Sequence, residues 1–181
     1  MRLLFPKPYA DFVARLRVPS GFALVAAFAW FSHPDARALA YGLPVSLIGL
    51  AVRAWAAGHL AKNESLAASG PYAYTRNPLY LGTLLVAAGL ALASRSAGLG
   101  ALFAAVFLCI YLPVIQLEQQ HLRSLFPDYA AYAARVPALL PRMTPAGQSR
   151  PFQWKVYLKN REYEALLGFL AGVALLIWKA L

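Results

Sequence analysis

Residues Ser69–Gly82 read SGPYAYTRNPLYLG, so one arginine and three tyrosines share a short stretch with two prolines and two glycines. A bare turn needs none of those aromatic or charged side chains. Arg76 carries a permanent guanidinium that can grip a carboxylate or phosphate through parallel hydrogen bonds. Tyr72, Tyr74 and Tyr80 offer flat faces and hydroxyls suited to an adenine, a sulfonium or a polar headgroup. Pro71 and Pro78 fix φ and remove backbone donors, which preorganises the corner. Asn77 precedes a proline and is biased away from helix, and Pro78 suits the first turn of the helix that follows. Tyr and Arg are equally ordinary as lipid-headgroup anchors at a membrane interface, so the residue types leave a binding site and an anchor both open.

A second polar group lies where an apolar run stops. Glu118 and Gln119 follow IYLPVIQL and open the stretch EQQHLRSLFPDYAAYAAR. Glu118 can hold a cation or accept hydrogen bonds from hydroxyls. Two further places attract attention. Arg53 stands inside an apolar run, and intramembrane charge is a functional hypothesis by default, with pairing to a carbonyl or snorkelling as the plain alternative. His59, six residues on, can reach a headgroup or cofactor, or serve structure alone. It has no partner at metal-ligand spacing, so no metal is expected. Asn160, Arg161, Glu162 and Glu164 cluster before the last apolar run. They fit a solvated helix start with acids at its N-terminus, or a segment that contacts an acceptor. If an acceptor must lose a proton, Glu118 and Glu162 are the candidate bases. Cys109 is the single cysteine, lies in an apolar run, and is read as a small core or lipid-facing residue.

The elements that must position these residues are apolar. Of 181 residues, 60% are hydrophobic and 13% charged, and the mean hydropathy is +0.53. Ordinary globular chains carry about 45–50% apolar and about 25% charged residues. Five apolar runs stand out, roughly 19–31, 39–61, 79–93, 97–117 and 165–178. A spanning helix needs about 20 residues. The second and fourth meet this; the others need snorkelling flanks or mutual shielding. With a cytosolic N-terminus, thirteen basic residues fall on the inner side, from Arg2 and Lys7 to Lys159 and Arg161, against Arg37, Arg95 and Lys179 outside. That asymmetry follows the positive-inside rule. It also accounts for the net charge of +10 without a nucleic-acid partner, since the basic residues flank apolar runs.

The expectation is an all-α integral membrane protein of about five transmembrane helices, in one domain over residues 1–181. Phe5, Tyr9, Phe12 and Leu16 repeat at helical spacing, which predicts an amphipathic helix over residues 1–17 lying on the inner surface or capping the bundle. ARALA resembles a small-residue cleavage site, but the region before it is long and contains Asp11 and aromatics, so an uncleaved helix is expected. The fourth span is expected to continue past Glu118 and break near Pro127. Pro137, Pro141 and Pro145 then preclude regular helix. Residues 143–181 are read as a connecting segment, with Trp154 and Tyr157 interfacial, plus a final transmembrane helix.

The string Gly-Pro-Tyr-x-Tyr-x-Arg-Asn-Pro-x-Tyr-x-Gly resembles the signature of the integral-membrane methyltransferases related to isoprenylcysteine carboxyl methyltransferase and phospholipid N-methyltransferase. Glu118-Gln119-x-x-Leu122, then Phe126, Tyr129, Tyr132, Val136-Pro137 and Pro141, is similar to the second half of that pattern. The resemblance covers about residues 43–142. It implies S-adenosylmethionine as methyl donor and an amphiphilic acceptor, a carboxylate, thiol or amine, taken from the bilayer. It also implies a cofactor pocket open to the cytosol, formed by the loop before helix 3 and the helix after span 4, in a protein of the cell's inner membrane. Carried over residue by residue, Gly70, Pro71, Tyr72, Tyr74, Arg76, Asn77, Pro78, Tyr80, Glu118, Gln119 and Leu122 would line the cofactor site. Arg76, Glu118 and Glu162 would serve the chemistry, and Arg53, His59, Asn160 and Arg161 would meet the acceptor. The chain departs from the pattern in four places. Asn77 replaces a histidine and cannot shuttle a proton. Gln119 replaces a glutamate, Pro113 lies near a position that carries an arginine in the isoprenylcysteine enzymes, and Pro127 follows Phe126 in place of glycine.

Two other function classes fit parts of the sequence. A nicotinamide-dependent membrane reductase of sterols or other isoprenoids shares an Arg-His-Pro-x-Tyr segment, but the histidine is absent here. A non-catalytic lipid-binding scaffold needs only the anchor reading of the corner. Oligomeric state is not encoded in any feature of the sequence.

Overall fold

The computed structural model describes residues 4–147 and 150–181, which leaves Arg2 of the charge count outside the described residues. Among the described residues there are helices and turns and no strand. The chain is an all-helical, multi-pass membrane protein. We number its helices α1 (Lys7–Phe31), α2 (Ala36–Ala57), α3 (Pro78–Ser94), α4 (Ala97–Val106), α5 (Leu112–Leu125), α6 (Tyr129–Arg135), α7 (Trp154–Lys159) and α8 (Tyr163–Ala180). Gly70–Ala73 forms a 3-10 turn, and Phe107–Tyr111 a π-helical turn joining α4 to α5. Among the described residues, four helical stretches are long and apolar enough to cross a membrane: Lys7–Phe31, Ala36–Ala57, Ala97–Leu125 and Tyr163–Ala180. About five were expected. The remaining apolar helix, α3, has 17 residues, or about 25 Å at 1.5 Å per residue, against a hydrocarbon core of about 30 Å.

One boundary differs from the sequence reading. The amphipathic N-terminal segment and the first apolar run are one helix, α1, with Pro19 inside it. The short first run therefore becomes a 25-residue helix. The break near Pro127 is present, since α5 ends at Leu125 and α6 starts at Tyr129. Among the described residues, the proline-rich segment after α6 is non-helical up to the start of α7.

The chain forms two compact units. The first comprises Met1–Ser46, Ala87–His121 and Ala171–Leu181. Its core gathers Phe28, Ala93, Leu99 and Leu176. Asp35 accepts the Ala38 N–H at 2.8 Å, capping α2, and pairs with Arg95 at 2.5 Å. The Ala38 N–H, with Arg95 beside it, holds the Asp35 carboxyl below its ordinary value. Lys179 donates to the Ala29 and Trp30 carbonyls at the end of α1, at 2.9 and 3.3 Å. The Gln116 amide accepts from the Leu4 and Phe5 N–H groups and donates to the Phe5 carbonyl, tying down the start of the chain. Tyr9 donates to the Cys109 carbonyl at 2.7 Å, inside the π-helical turn.

The second unit comprises Leu47–Val86 and Leu122–Leu170. Its core gathers Tyr129, Tyr132 and Val136, with Leu66, Leu122 and Phe126 packed around them.

Within each unit α2 meets α3 through small residues, the usual device for close helix approach in a bilayer. In the first, a Cβ at Gly42 would stand 2.4 Å from the Gly89 carbonyl, and one at Gly89 would stand 2.3 Å from the Ser46 hydroxyl. In the second, a Cβ at Gly49 would stand 2.6 Å from the Gly82 carbonyl. Each of the three positions meets backbone, Gly89 also through the Gly42 carbonyl at 2.5 Å, so rotamer changes cannot relieve the collisions. Gly89→Leu is expected to lower stability by about 1–3 kcal/mol, read as an earlier thermal transition in detergent. Gly168→Ala, whose site has nothing within 4 Å of the added carbon, should leave the transition in place.

Candidate active site

The corner is the end of a loop that leaves α2 and returns to α3. Gly70 adopts φ +57°, and a Cβ there would also collide with the His59 ring at 2.7 Å. Glycine is therefore required twice over. Pro71 is the second residue of the 3-10 turn and Pro78 starts α3. Irregular backbone at membrane depth must find partners within protein, and here the partner is the proline-rich segment that follows α6.

Hydrogen bonds join the two segments in both directions, and α6 adds contacts to the corner. The Arg76 N–H donates to the Pro137 carbonyl at 2.9 Å. The Thr75 hydroxyl donates to the Leu139 carbonyl at 3.0 Å, and the Asn77 amide to the Ala138 carbonyl at 2.7 Å. In return, the Arg142 and Ala146 N–H groups donate to the Tyr74 and Ala73 carbonyls, each at 3.0 Å. The Tyr132 hydroxyl donates to the Tyr72 carbonyl at 2.8 Å. Residues 137–146 thus act as a strap across the corner. Pro71, Tyr72, Thr75, Asn77 and Pro78 are buried beneath these contacts.

Arg76 and Tyr74 are only partly buried. The Arg76 Nη1 donates to the Tyr129 hydroxyl at 3.4 Å. Burial pushes the Tyr129 hydroxyl above its ordinary value, against the Arg76 guanidinium beside it. Burial raises Tyr132 as well, more strongly, so both phenols stay neutral around the arginine. The Tyr74 ring lies 6.1 Å from that of Trp55, tilted by 54°. Trp55 escaped the sequence reading; its position one turn before His59, at the polar end of α2, was the available signal. Tyr80 is partly buried on the first turn of α3.

Several residues expected at the site have structural partners. Leu122 packs into the Tyr129–Tyr132–Val136 core, which gives it a packing role. The two ring nitrogens of His59 face the Trp55 and Arg150 carbonyls at 2.9 and 3.0 Å. Asn160 donates to the Ala57 and Leu60 carbonyls at 2.8 and 2.9 Å, closing the end of α2. Arg161 pairs with Glu164 on the surface at 2.5 Å. Arg53 binds Glu162 as a fork, Nε to Oε1 at 2.6 Å and Nη2 to Oε2 at 3.1 Å, and Nη1 also reaches the Thr83 hydroxyl. Gly82 makes room for that arginine, because a Cβ there would stand 2.6 Å from Arg53 Cγ. Glu162 is thus the partner of the intramembrane charge, and a base role would require the fork to open. Glu118 and Gln119 belong to the first unit. Gln119 is buried, and Glu118 is half exposed and lies 3.7 Å from Arg17. Among the described residues, no group of three or more His, Cys, Asp or Glu side chains comes together as a metal site.

A family model described as phospholipid methyltransferase matches residues 39–129. The chain is 38% identical over 105 residues to the cobalt-zinc-cadmium resistance protein CzcN of Cupriavidus metallidurans, which takes in 57% of this chain and 47% of that protein. It is 30% identical over 151 residues to the nickel-cobalt-cadmium resistance protein NccN of Alcaligenes xylosoxydans xylosoxydans, which takes in 77% of this chain and 71% of that protein. The chain therefore aligns with about half the length of the first relative. No solved structure matches.

Two substitutions test the assignments made from geometry. Asn77→Asp replaces the donor facing the Ala138 carbonyl by an acceptor and should cost about 1–3 kcal/mol, with Asn77→Ala intermediate, both measured by thermal melting. Glu162→Gln leaves Arg53 without its counter-ion and should cost about 3 kcal/mol, whereas the paired change Arg53→Leu with Glu162→Leu should come closer to wild type.

Proposed function

The chain belongs to the phospholipid methyltransferase family, and from that premise we propose that it transfers a methyl group from S-adenosylmethionine to an amphiphilic acceptor taken from the bilayer. The observation that carries the reading is the corner. The family match includes it, and the strap fixes its backbone while Arg76 and Tyr74 remain partly open. Those residues fit the cofactor by the chemistry of their groups. Arg76 would hold the carboxylate, and the Tyr74 and Trp55 faces suit a sulfonium through their ring quadrupoles. When bound, S-adenosylmethionine supplies an electrophilic methyl carbon for in-line displacement. The protein's part is to align the reactants and to exclude water.

The ion pairs favour one acceptor class. Both candidate bases have a cationic neighbour, Glu162 in the Arg53 fork and Glu118 near Arg17. An acceptor that is already a carboxylate needs no proton removed, whereas a thiol or amine would. The inner-membrane location with the corner toward the cytoplasm is supported by the charge asymmetry along the chain, which sets Arg76 on the inner side. The alternatives of a nicotinamide-dependent reductase and a lipid-binding scaffold have no comparable support. A metal-resistance role rests on the relatives' names alone.

The test is titration of S-adenosylhomocysteine into the purified protein. Wild type should bind. Arg76→Ala should bind about 10-fold or more weakly, as expected for loss of a charge-assisted hydrogen bond in a desolvated site, with its apo melting curve close to wild type. Equal affinities would remove Arg76 from the site, and absence of binding to wild type would remove the reading itself.

A further inference from the structure

The second unit holds a cavity of about 510 Å³ whose lining includes none of Tyr74, Arg76, Asn77, Pro78 or Tyr80. Its walls are the loop after α2, one side of α6, and the segment leading into α7. Those walls are fixed to one another. His59 Nε2 meets the Arg150 carbonyl, and the Gln153 N–H donates to the Gly58 carbonyl at 3.0 Å. Gly58 has no Cβ because the Phe152 ring occupies that place, 2.1 Å from where the atom would stand. Of the corner, Ser69 lines the cavity, and so does Tyr132 of α6, whose hydroxyl is committed to the Tyr72 carbonyl.

The lining is rich in donors. Arg135 approaches from α6 and Arg150 from the opposite segment, with the Ser65 and Ser69 hydroxyls and the Gln153 amide between. Among the described residues lining the cavity, Asp128 is the one acid. Among the described residues, neither arginine is in an ion pair, and the Arg135 guanidinium donates to the Ala131 carbonyl through Nε at 3.3 Å, while the Arg135 carbonyl accepts from Arg142. Ser69 is 8% exposed, so its hydroxyl is largely withdrawn from bulk water. The volume lies in the range of about 300–1,000 Å³ usual for small-ligand sites.

We infer that this cavity binds a phosphate group, carried either by a lipid headgroup or by a small soluble phosphate. A planar carboxylate is satisfied by one guanidinium fork, whereas a phosphate presents oxygens in several directions at once and suits donors arriving from different walls. The site is separate from the proposed cofactor corner, so the two can fail independently.

The experiment uses the full chain, purified in detergent and in nanodiscs. In detergent, inorganic phosphate is titrated while thermal melting is followed. In nanodiscs of phosphatidylcholine with and without phosphatidylglycerol, retained lipid is read by native mass spectrometry. A phosphate-dependent rise in melting temperature identifies a soluble source, and selective retention of phosphatidylglycerol identifies a headgroup. In either case Arg135→Gln and Arg150→Gln should each weaken the effect by about 10-fold or more, and S-adenosylhomocysteine affinity should not change. The inference is overturned if wild type shows neither effect, if the variants respond as wild type does, or if they lose S-adenosylhomocysteine affinity, which would make the cavity part of the cofactor site. Should Arg150→Gln fail to fold, Arg135→Gln, at an exposed position of α6, decides the same question.

Discussion

Backbone that leaves a helix near a bilayer must have its N–H and C=O groups satisfied inside the protein. That requirement organises the second unit. The loop from α2 to α3 cannot continue as helix past Pro71 and Asn77-Pro78, so its polar groups need outside partners. Residues 137–146 provide them, and the prolines among these residues keep this segment out of regular helix, so that its remaining polar groups are available to pair. The Tyr129–Tyr132–Val136 core lies just before this strap in sequence. It anchors the strap and sends the Tyr132 hydroxyl to the Tyr72 carbonyl. The position of Arg76 follows from this arrangement: its N–H is held by Pro137 while its side chain meets Tyr129.

The Arg53–Glu162 fork does for the helices what the strap does for the loop. Its side chains are 23% and 10% exposed, so neither charge is tolerable without the other. The arginine can lie against α3 only because residue 82 is glycine. Glu162 and Asn160 both precede α8, one fixed to Arg53 and the other to the end of α2. The final helix therefore enters from a point held by two polar contacts to the same helix. A buried ion pair is weak evidence for stability in itself, but it specifies which helix faces meet, since a rotation of either partner would leave a charge uncompensated.

Local features were legible in the sequence because their causes are local. Pro71, Asn77-Pro78 and Pro127 announce the corner and the end of α5 through restrictions on their own backbone, and the structure has breaks at these places. The alternation of apolar runs and basic flanks conveyed an all-helical membrane protein. The bounds of the first helix were misread, because Pro19 and the charges of residues 7–17 resemble a boundary although the helix runs through them. The roles of Arg53, His59, Asn160 and Glu162 were not legible. Arg53 and Glu162 are 109 residues apart, and Asn160 and Ala57 are 103 apart. No periodicity or spacing rule connects such positions. Each residue type suited catalysis as well as it suited the structural contact it makes.

Asn77 shows how a resemblance and a structure can assign one position differently. In the family pattern the position carries a histidine, which can donate from either nitrogen and can hold a proton. In this chain the asparagine's amide nitrogen reaches the Ala138 carbonyl, 61 residues along the chain, at 2.7 Å. Its own N–H turns to the Thr75 hydroxyl at 3.4 Å, and Thr75 in turn donates to the Leu139 carbonyl. A short amide at this position therefore joins the corner to the strap. Any proton chemistry must come from elsewhere, and the two acids considered for it sit beside arginines. On the proposed reading, the corner would bind and orient through Arg76 and its aromatic neighbours. Such a site suits a reaction in which the electrophile is already activated by its own positive charge and the acceptor arrives with its electron pair free.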